Sequence, residues 1–156
     1  MTMASTLRRH LESRGVEYQV VNHPMTASSS ETAQSAHVSG NRIAKSVVLR
    51  DGEGYLLAVL PAAHHLSLEM LQDWLGRSFA LASEQEIGRL FPDCELGAIP
   101  PLGGAYDLDV VLDERLARLD EVYFEGGDHQ TLVRIGGEQF RHLMASAKFG
   151  RFSTHD

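Results

Sequence analysis

Apolar residues recur along the chain at two spacings, and the switches between them outline the elements. Leu7 and Leu11, with charged residues between them, predict a short amphipathic helix ending near Gly15. Residues 17–21 alternate and predict a strand. Ser28, followed three residues on by Glu31, reads as a capping box that opens a helix running through Ala36. Residues 45–49 and 55–60 predict two strands, and the Asp51-Gly52-Glu53-Gly54 between them is a hairpin signal. Ser67 caps a helix carrying Leu68, Leu71 and Leu75. Ser83 with Glu86 forms a second capping box ahead of Ile87 and Leu90. Residues 108–112, 122–124 and 132–135 read as strands, and Phe140, Leu143 and Met144 mark a last helix. Strands and short helices mix without a regular βαβ rhythm, which predicts an α+β domain built on a mixed sheet. Its expected core is Val47, Leu49, Leu57, Val59, Val110, Phe124, Val133 and Ile135.

The length, 156 residues, fits one domain spanning 1–156. An apolar share of 43% with 22% charged residues is ordinary for a folded globule and excludes disordered or collagen-like classes. No stretch approaches the ~18 apolar residues of a membrane helix, so no membrane partner is expected. The N-terminus carries charges where a signal peptide needs an apolar stretch, which reads as a cytoplasmic protein. The single cysteine, Cys94, excludes an internal disulfide and a cysteine zinc site.

The net charge of −7 argues against a general DNA or RNA coat protein, and no DNA partner is expected. The charge is uneven. Residues 1–50 carry six basic and three acidic groups, and residues 129–156 four and two. The stretches 51–104 and 105–128 each carry two basic and eight acidic groups. If the two electropositive ends meet in the fold, one face accepts a polyanion locally.

Four features bear on chemistry. Lys45 is one of two lysines against twelve arginines. On a strand starting there it shares the more apolar face with Val47 and Leu49, so it either snorkels to the rim or points its ammonium into a pocket. Residues 97–104, Gly-Ala-Ile-Pro-Pro-Leu-Gly-Gly, form a stiff loop whose glycines permit close backbone approach. Ala98, Ile99, Leu102 and the glycines keep amide donors, and the loop reads as a ligand cradle or a rigid connector. No Gly-Lys-Ser/Thr follows, so it is no phosphate loop. His129, after Gly126-Gly127-Asp128, is expected on a strand face with Thr131, Val133 and Ile135, as a ligand contact or a structural residue. His23 is held extended by Pro24. His64-His65 is a poor metal pair, because adjacent side chains diverge, and no metal is expected. Cys94 beside acidic residues is a poor nucleophile.

In chain order these features are His23-Pro24, a helix, Ile43-Ala44-Lys45-Ser46-Val47-Val48-Leu49, a hairpin, Gly97-x-x-x-Pro101-x-Gly103, an Asp113-bearing strand end and Gly127-Asp128-His129. The arrangement resembles the YbaK/prolyl-tRNA-synthetase-associated family of aminoacyl-tRNA editing domains, from about Thr6 to Met144. The resemblance implies a mixed, strongly curved, almost barrel-like sheet flanked by short helices. It implies a freestanding deacylase that hydrolyses the ester of a mischarged tRNA, without cofactor or metal. Lys45 matches the family's essential lysine. Gly97, Ala98, Ile99, Pro101 and Gly103 fall in the loop that cradles the aminoacyl end, and His129 and His23 are further substrate-binding positions. The implied partner is a tRNA acceptor end carrying a wrong amino acid, with a recruiting aminoacyl-tRNA synthetase as a second. Pro100, where relatives often carry a small polar residue, leaves the loop one amide donor short. A non-catalytic ligand-binding module of the same fold is the alternative.

Overall fold

The structure, a computed structural model, describes residues 3–26 and 28–155. The side chains of Ser29, Ser30 and Ser35 lie outside that description. Helix α1 (Ser5–Ser13) buries Leu7 and Leu11. Strand β1 (Tyr18–Asn22) leads to α2 (Ser29–Ala36), where Ser28 Oγ accepts from the Glu31 amide at 3.2 Å, as the capping signal predicts. The hairpin is β2 (Ile43–Arg50) and β3 (Tyr55–Pro61), whose turn is pinned by Asp51 Oδ1 accepting from the amides of Glu53 and Gly54. Then come β4 (His64–Leu66), α3 (Leu68–Leu75), β5 (Ala80–Leu81) and α4 (Glu84–Leu90). Both halves of the Ser83/Glu86 capping box are present. Strands β6 (Asp109–Asp113), β7 (Glu121–Glu125) and β8 (Thr131–Gly136) precede α5 (Gly137–Leu143) and two short strands, β9 (Lys148–Gly150) and β10 (Ser153–His155).

The expected α+β class and mixed sheet are found: eight strands in the order β1-β8-β7-β2-β3-β6-β9, with β5 beside β2. The path has two ends, so the sheet is open, without the closure of a barrel. β2 pairs antiparallel with β3 along its length, but parallel with β7 only at Ile43↔Tyr123 and Ala44↔Phe124. Beyond that step the two strands part. A gap between adjacent parallel strands is a place where a sheet can admit a ligand.

Alternation assigns the faces. Ala44, Val48, Leu57, Val59, Phe124, Val133 and Ile135 enter the larger core, packed against α1, α5 and the 99–102 loop. Leu49, Leu56, Ala58 and Leu60 form a second cluster with Leu71, Phe79 and Phe152. Ile43 packs with Ala33 of α2 and Ala62 on that second face. Six of the eight expected core residues are buried. Val47 and Val110 are half-buried at its margin, because Val47 lies toward the rim of a cleft and Val110 near the start of β6.

Candidate functional site

Lys45 follows Ala44, the last β2 residue paired with β7. Ala44 and Phe124 point into the larger core, so Lys45 and Glu125, the next step on each strand, both face the opposite side. The Lys45 ammonium is half-buried, donating to the carbonyl oxygens of Ala62, at 3.3 Å, and of His64. It thus sits at the end of the sheet, held by the chain as it leaves β3 for β4.

Ser46 points the other way. With Val48, Ala82, Ile87, Gly97 and Ile99 it lines a cleft of about 280 Å³ on the core side of β2. Its Oγ is buried without a partner there. Gly97 is exposed at φ +83°, a conformation that favours glycine. The loop therefore meets β2 at Ser46, while the Lys45 ammonium projects from the other face of the same strand.

The rest of the loop is a packed connector. Ala98, Ile99, Pro101 and Gly103 are buried. The Ala98 amide donates to Glu95 O at 3.1 Å and the Gly103 amide to Pro101 O at 3.0 Å. Those two donors are used within the chain. Gly103 is required by crowding: a Cβ there would stand 2.5 Å from Val110 Cγ2 and 2.9 Å from the Leu108 carbonyl.

His129 is a turn residue. β8 begins at Thr131, and His129 precedes it at φ +64°, so it does not share the strand face assigned to it by alternation. Asp128 builds that turn, accepting from the amides of Gln130 and Thr131 and from the Thr131 hydroxyl. The His129 Nε2 bonds to Leu96 O and lies 3.9 Å from Glu95 Oε2, while the Glu95 amide donates to Gly127 O. His129 and the start of the glycine loop are thus tied together beside the end of β7.

His23 is buried. Its Nδ1 donates to the Pro24 carbonyl at 2.8 Å, and its Nε2 lies 3.9 Å from Glu125 Oε2, neither of these two atoms having a hydrogen-bond partner. Glu125 Oε1 accepts from Thr32 Oγ1, which also contacts Thr26 Oγ1 at 2.6 Å. Burial pushes the Glu125 carboxyl above the usual range, and the Thr32 hydrogen bond, His23 and His129 only partly offset this. Cys94 is likewise pushed up, to about 12, first by burial and further by Asp93. It is inert, as its acidic neighbourhood predicts.

The structure thus sets Lys45 and Glu125 at the point where β2 and β7 part, and ties His129 to the start of the glycine loop. Lys45 and Glu125, with His23 and Thr32 beside the latter, lie on one face there, while Ser46 and Gly97 line the cleft on the other. Among the described residues, no group of three or more His, Cys, Asp or Glu side chains is placed to hold a metal ion.

The family model described as an aminoacyl-tRNA editing domain matches residues 23–143. The chain belongs to the aminoacyl-tRNA editing domain family. Among solved structures, a scaffold protein used for grafting epitope backbones by computational design superposes with a TM-score of 0.85 at 26% identity, covering 97% of each chain. A candidate trans-editing enzyme for prolyl tRNA synthetase superposes at 0.83 and 26% identity, covering 98% of this chain and 99% of its own. A hypothetical protein at 21% identity, TM-score 0.84, shares the fold over 96% of this chain and 100% of its own. No curated protein sequence matches the chain.

Within this editing domain the sequence reading missed Ser46, Thr32 and Glu125. Ser46 was legible as the neighbour of Lys45. Glu125 was legible only as an acid at a predicted strand end, a position that solvent usually covers. Three basic residues of the electropositive ends bond within the chain: Arg42 with Asp120 at 3.5 Å, Arg141 with the carbonyls of Ala117 and Leu119, and Arg151 with Glu114. Arg8, Arg9 and Lys148 are exposed.

Proposed function

We propose that this protein is a trans-editing aminoacyl-tRNA deacylase that hydrolyses the ester of a mischarged tRNA without a metal or other cofactor. The observation that carries the proposal is the setting of Lys45, the single lysine of the sheet's central strands, at the parting of β2 and β7 in a chain of the aminoacyl-tRNA editing family. The acceptor end carrying a wrong amino acid is the substrate, and a recruiting aminoacyl-tRNA synthetase is the natural partner.

The chemistry asks little of the protein. An aminoacyl ester is activated, so no protein nucleophile is needed. Water oxygen attacks the carbonyl carbon, the bond to the ribose oxygen breaks, and the water's proton passes to that leaving oxygen, directly or through the neighbouring ribose hydroxyl. The products are a free amino acid and an uncharged tRNA. The site must position the ester and stabilise the charge growing on its carbonyl oxygen. The Lys45 ammonium, with its donors now aimed at two carbonyl oxygens, supports that role by exchanging one of them for the ester oxygen. Gly97 keeps the approach open, and His129 and His23 contribute to holding the acyl end.

The test is a deacylation screen over a panel of mischarged tRNAs. Hydrolysis of at least one aminoacyl ester above the spontaneous rate is expected. No hydrolysis and no tRNA binding across the panel would leave a non-catalytic ligand-binding module of this fold.

A further inference from the structure

The end of the sheet near Lys45 holds a buried polar network that the reaction does not use. Asp113, at the end of β6, and His64 and Ser153, at diagonal positions of the β4–β10 pair, are each at most 5% exposed. Ser153 Oγ donates to Asp113 Oδ2 at 2.5 Å. The His64 Nδ1 lies 2.9 Å from Ser153 Oγ and 3.4 Å from Arg115 Nη1. Arg115 Nη1 closes the network, donating to Asp113 Oδ2 at 3.0 Å and to the Ser153 carbonyl at 3.2 Å.

Ser, His and Asp in contact suggest a hydrolytic triad, but the polarity is wrong. The serine gives its proton to the acid and not to the imidazole, and the hydroxyl is buried. The network instead fixes His64, and it is the main-chain carbonyl of His64 that receives the Lys45 ammonium. A short three-residue strand such as β4 has little rigidity of its own. Here its first residue is locked through its side chain to a buried acid on β6.

We propose that Asp113, Ser153 and His64 are positioning residues for Lys45, and that the C-terminal strand β10 is part of the catalytic apparatus because it supplies Ser153. The proposal rests on the deacylase reading for its consequence in rate, but the placement of Lys45 is measurable without any substrate. The chain's two lysines supply the comparison: Lys45 is half-buried and hydrogen-bonded, while Lys148 is exposed.

The experiment is competitive trace acylation of the native protein with acetic anhydride, reading the Lys45 to Lys148 labelling ratio by mass spectrometry. It compares the parental protein, Ser153→Ala, and Thr154→Ala at an exposed position of the same strand. Ser153→Ala removes one oxygen and adds no volume. Loss of one hydrogen-bonded support is expected to raise the ratio about fivefold, while Thr154→Ala leaves it unchanged. On the best ester substrate, Ser153→Ala should lower kcat about tenfold or more with KM nearly unchanged, since a displaced catalytic group costs chemistry before binding. Circular dichroism checks that the variant is folded. If Ser153→Ala unfolds, Asp113→Asn, which keeps the shape and an acceptor oxygen, takes its place. A folded variant with the parental labelling ratio would overturn the proposal. A raised ratio in a protein that hydrolyses no ester would retain the positioning and remove the deacylase reading.

Discussion

Lys45 and Glu125 occupy the same step on two parallel strands, one residue past the last pair, Ala44 and Phe124, and on the same face of the sheet. A cation and a buried carboxyl are thereby set on either side of the gap where β2 and β7 part. The Lys45 ammonium is directed to the Ala62 and His64 carbonyls, and the Glu125 carboxyl to Thr32.

Glu125 makes the stability depend on pH. Its folded pKa lies above the unfolded value because burial disfavours the charge. The folded state therefore binds the proton more tightly, and stability falls as pH rises from the usual carboxylate range through the raised folded pKa. Glu125→Gln keeps the Thr32 bond and removes the ionisation. Its melting temperature should match or exceed the parental one at pH 7–8, and this advantage should shrink toward pH 4. A variant less stable at pH 8 than at pH 4, relative to the parental protein, would contradict the assignment.

The two ends of the glycine loop should respond differently. Gly103→Ala drives a Cβ to 2.5 Å from Val110 Cγ2, and overpacking of this kind costs about 1–3 kcal/mol. It should lower the melting temperature. Gly97→Val meets the cost of a side chain at φ +83° and also fills the mouth of the Ser46 cleft. It should damage turnover more than Gly103→Ala does at equal loss of stability. Unchanged kinetics with a lowered melting temperature for Gly97→Val would make the whole loop a connector.

Salt dependence measures the size of the tRNA contact. With Arg42, Arg141 and Arg151 bonded within the chain, two or three phosphate contacts are expected from the exposed Arg8, Arg9 and Lys148 of the electropositive ends. Each phosphate neutralised adds roughly 0.7–0.9 to the slope of log K against log salt, so a slope between about −1.4 and −2.7 is expected. A minihelix of the acceptor stem should be nearly as good a substrate as whole tRNA. A slope near about −8 would require a much larger interface.

Much of the fold was legible where local chemistry decides it. Ser28, Ser67 and Ser83 cap helices as their spacing predicts, and the Asp51 turn joins the two longest strands. The short strands β4, β5, β9 and β10 were not legible, because two or three residues carry no period and are ordered by the partner they meet. The same limit hid the site's supports. Lys45, Gly97 and His129 announce themselves by residue type and neighbours. Ser153 and Asp113 are 40 residues apart and meet only once β10 is laid against β4. Glu125 reads as an ordinary strand-end acid until α2 folds over it and Thr32 covers it.

The most direct test of the account is single-turnover hydrolysis of the best aminoacyl-tRNA by the parental protein and by Lys45→Ala, with melting temperatures measured alongside. If the ammonium stabilises the charge on the ester oxygen, the variant should melt close to the parental protein and hydrolyse about 10²–10³-fold more slowly, as when an oxyanion-hole donor is lost. A folded Lys45→Ala protein that cleaves the ester at the parental rate would remove Lys45 from the reaction and contradict the account.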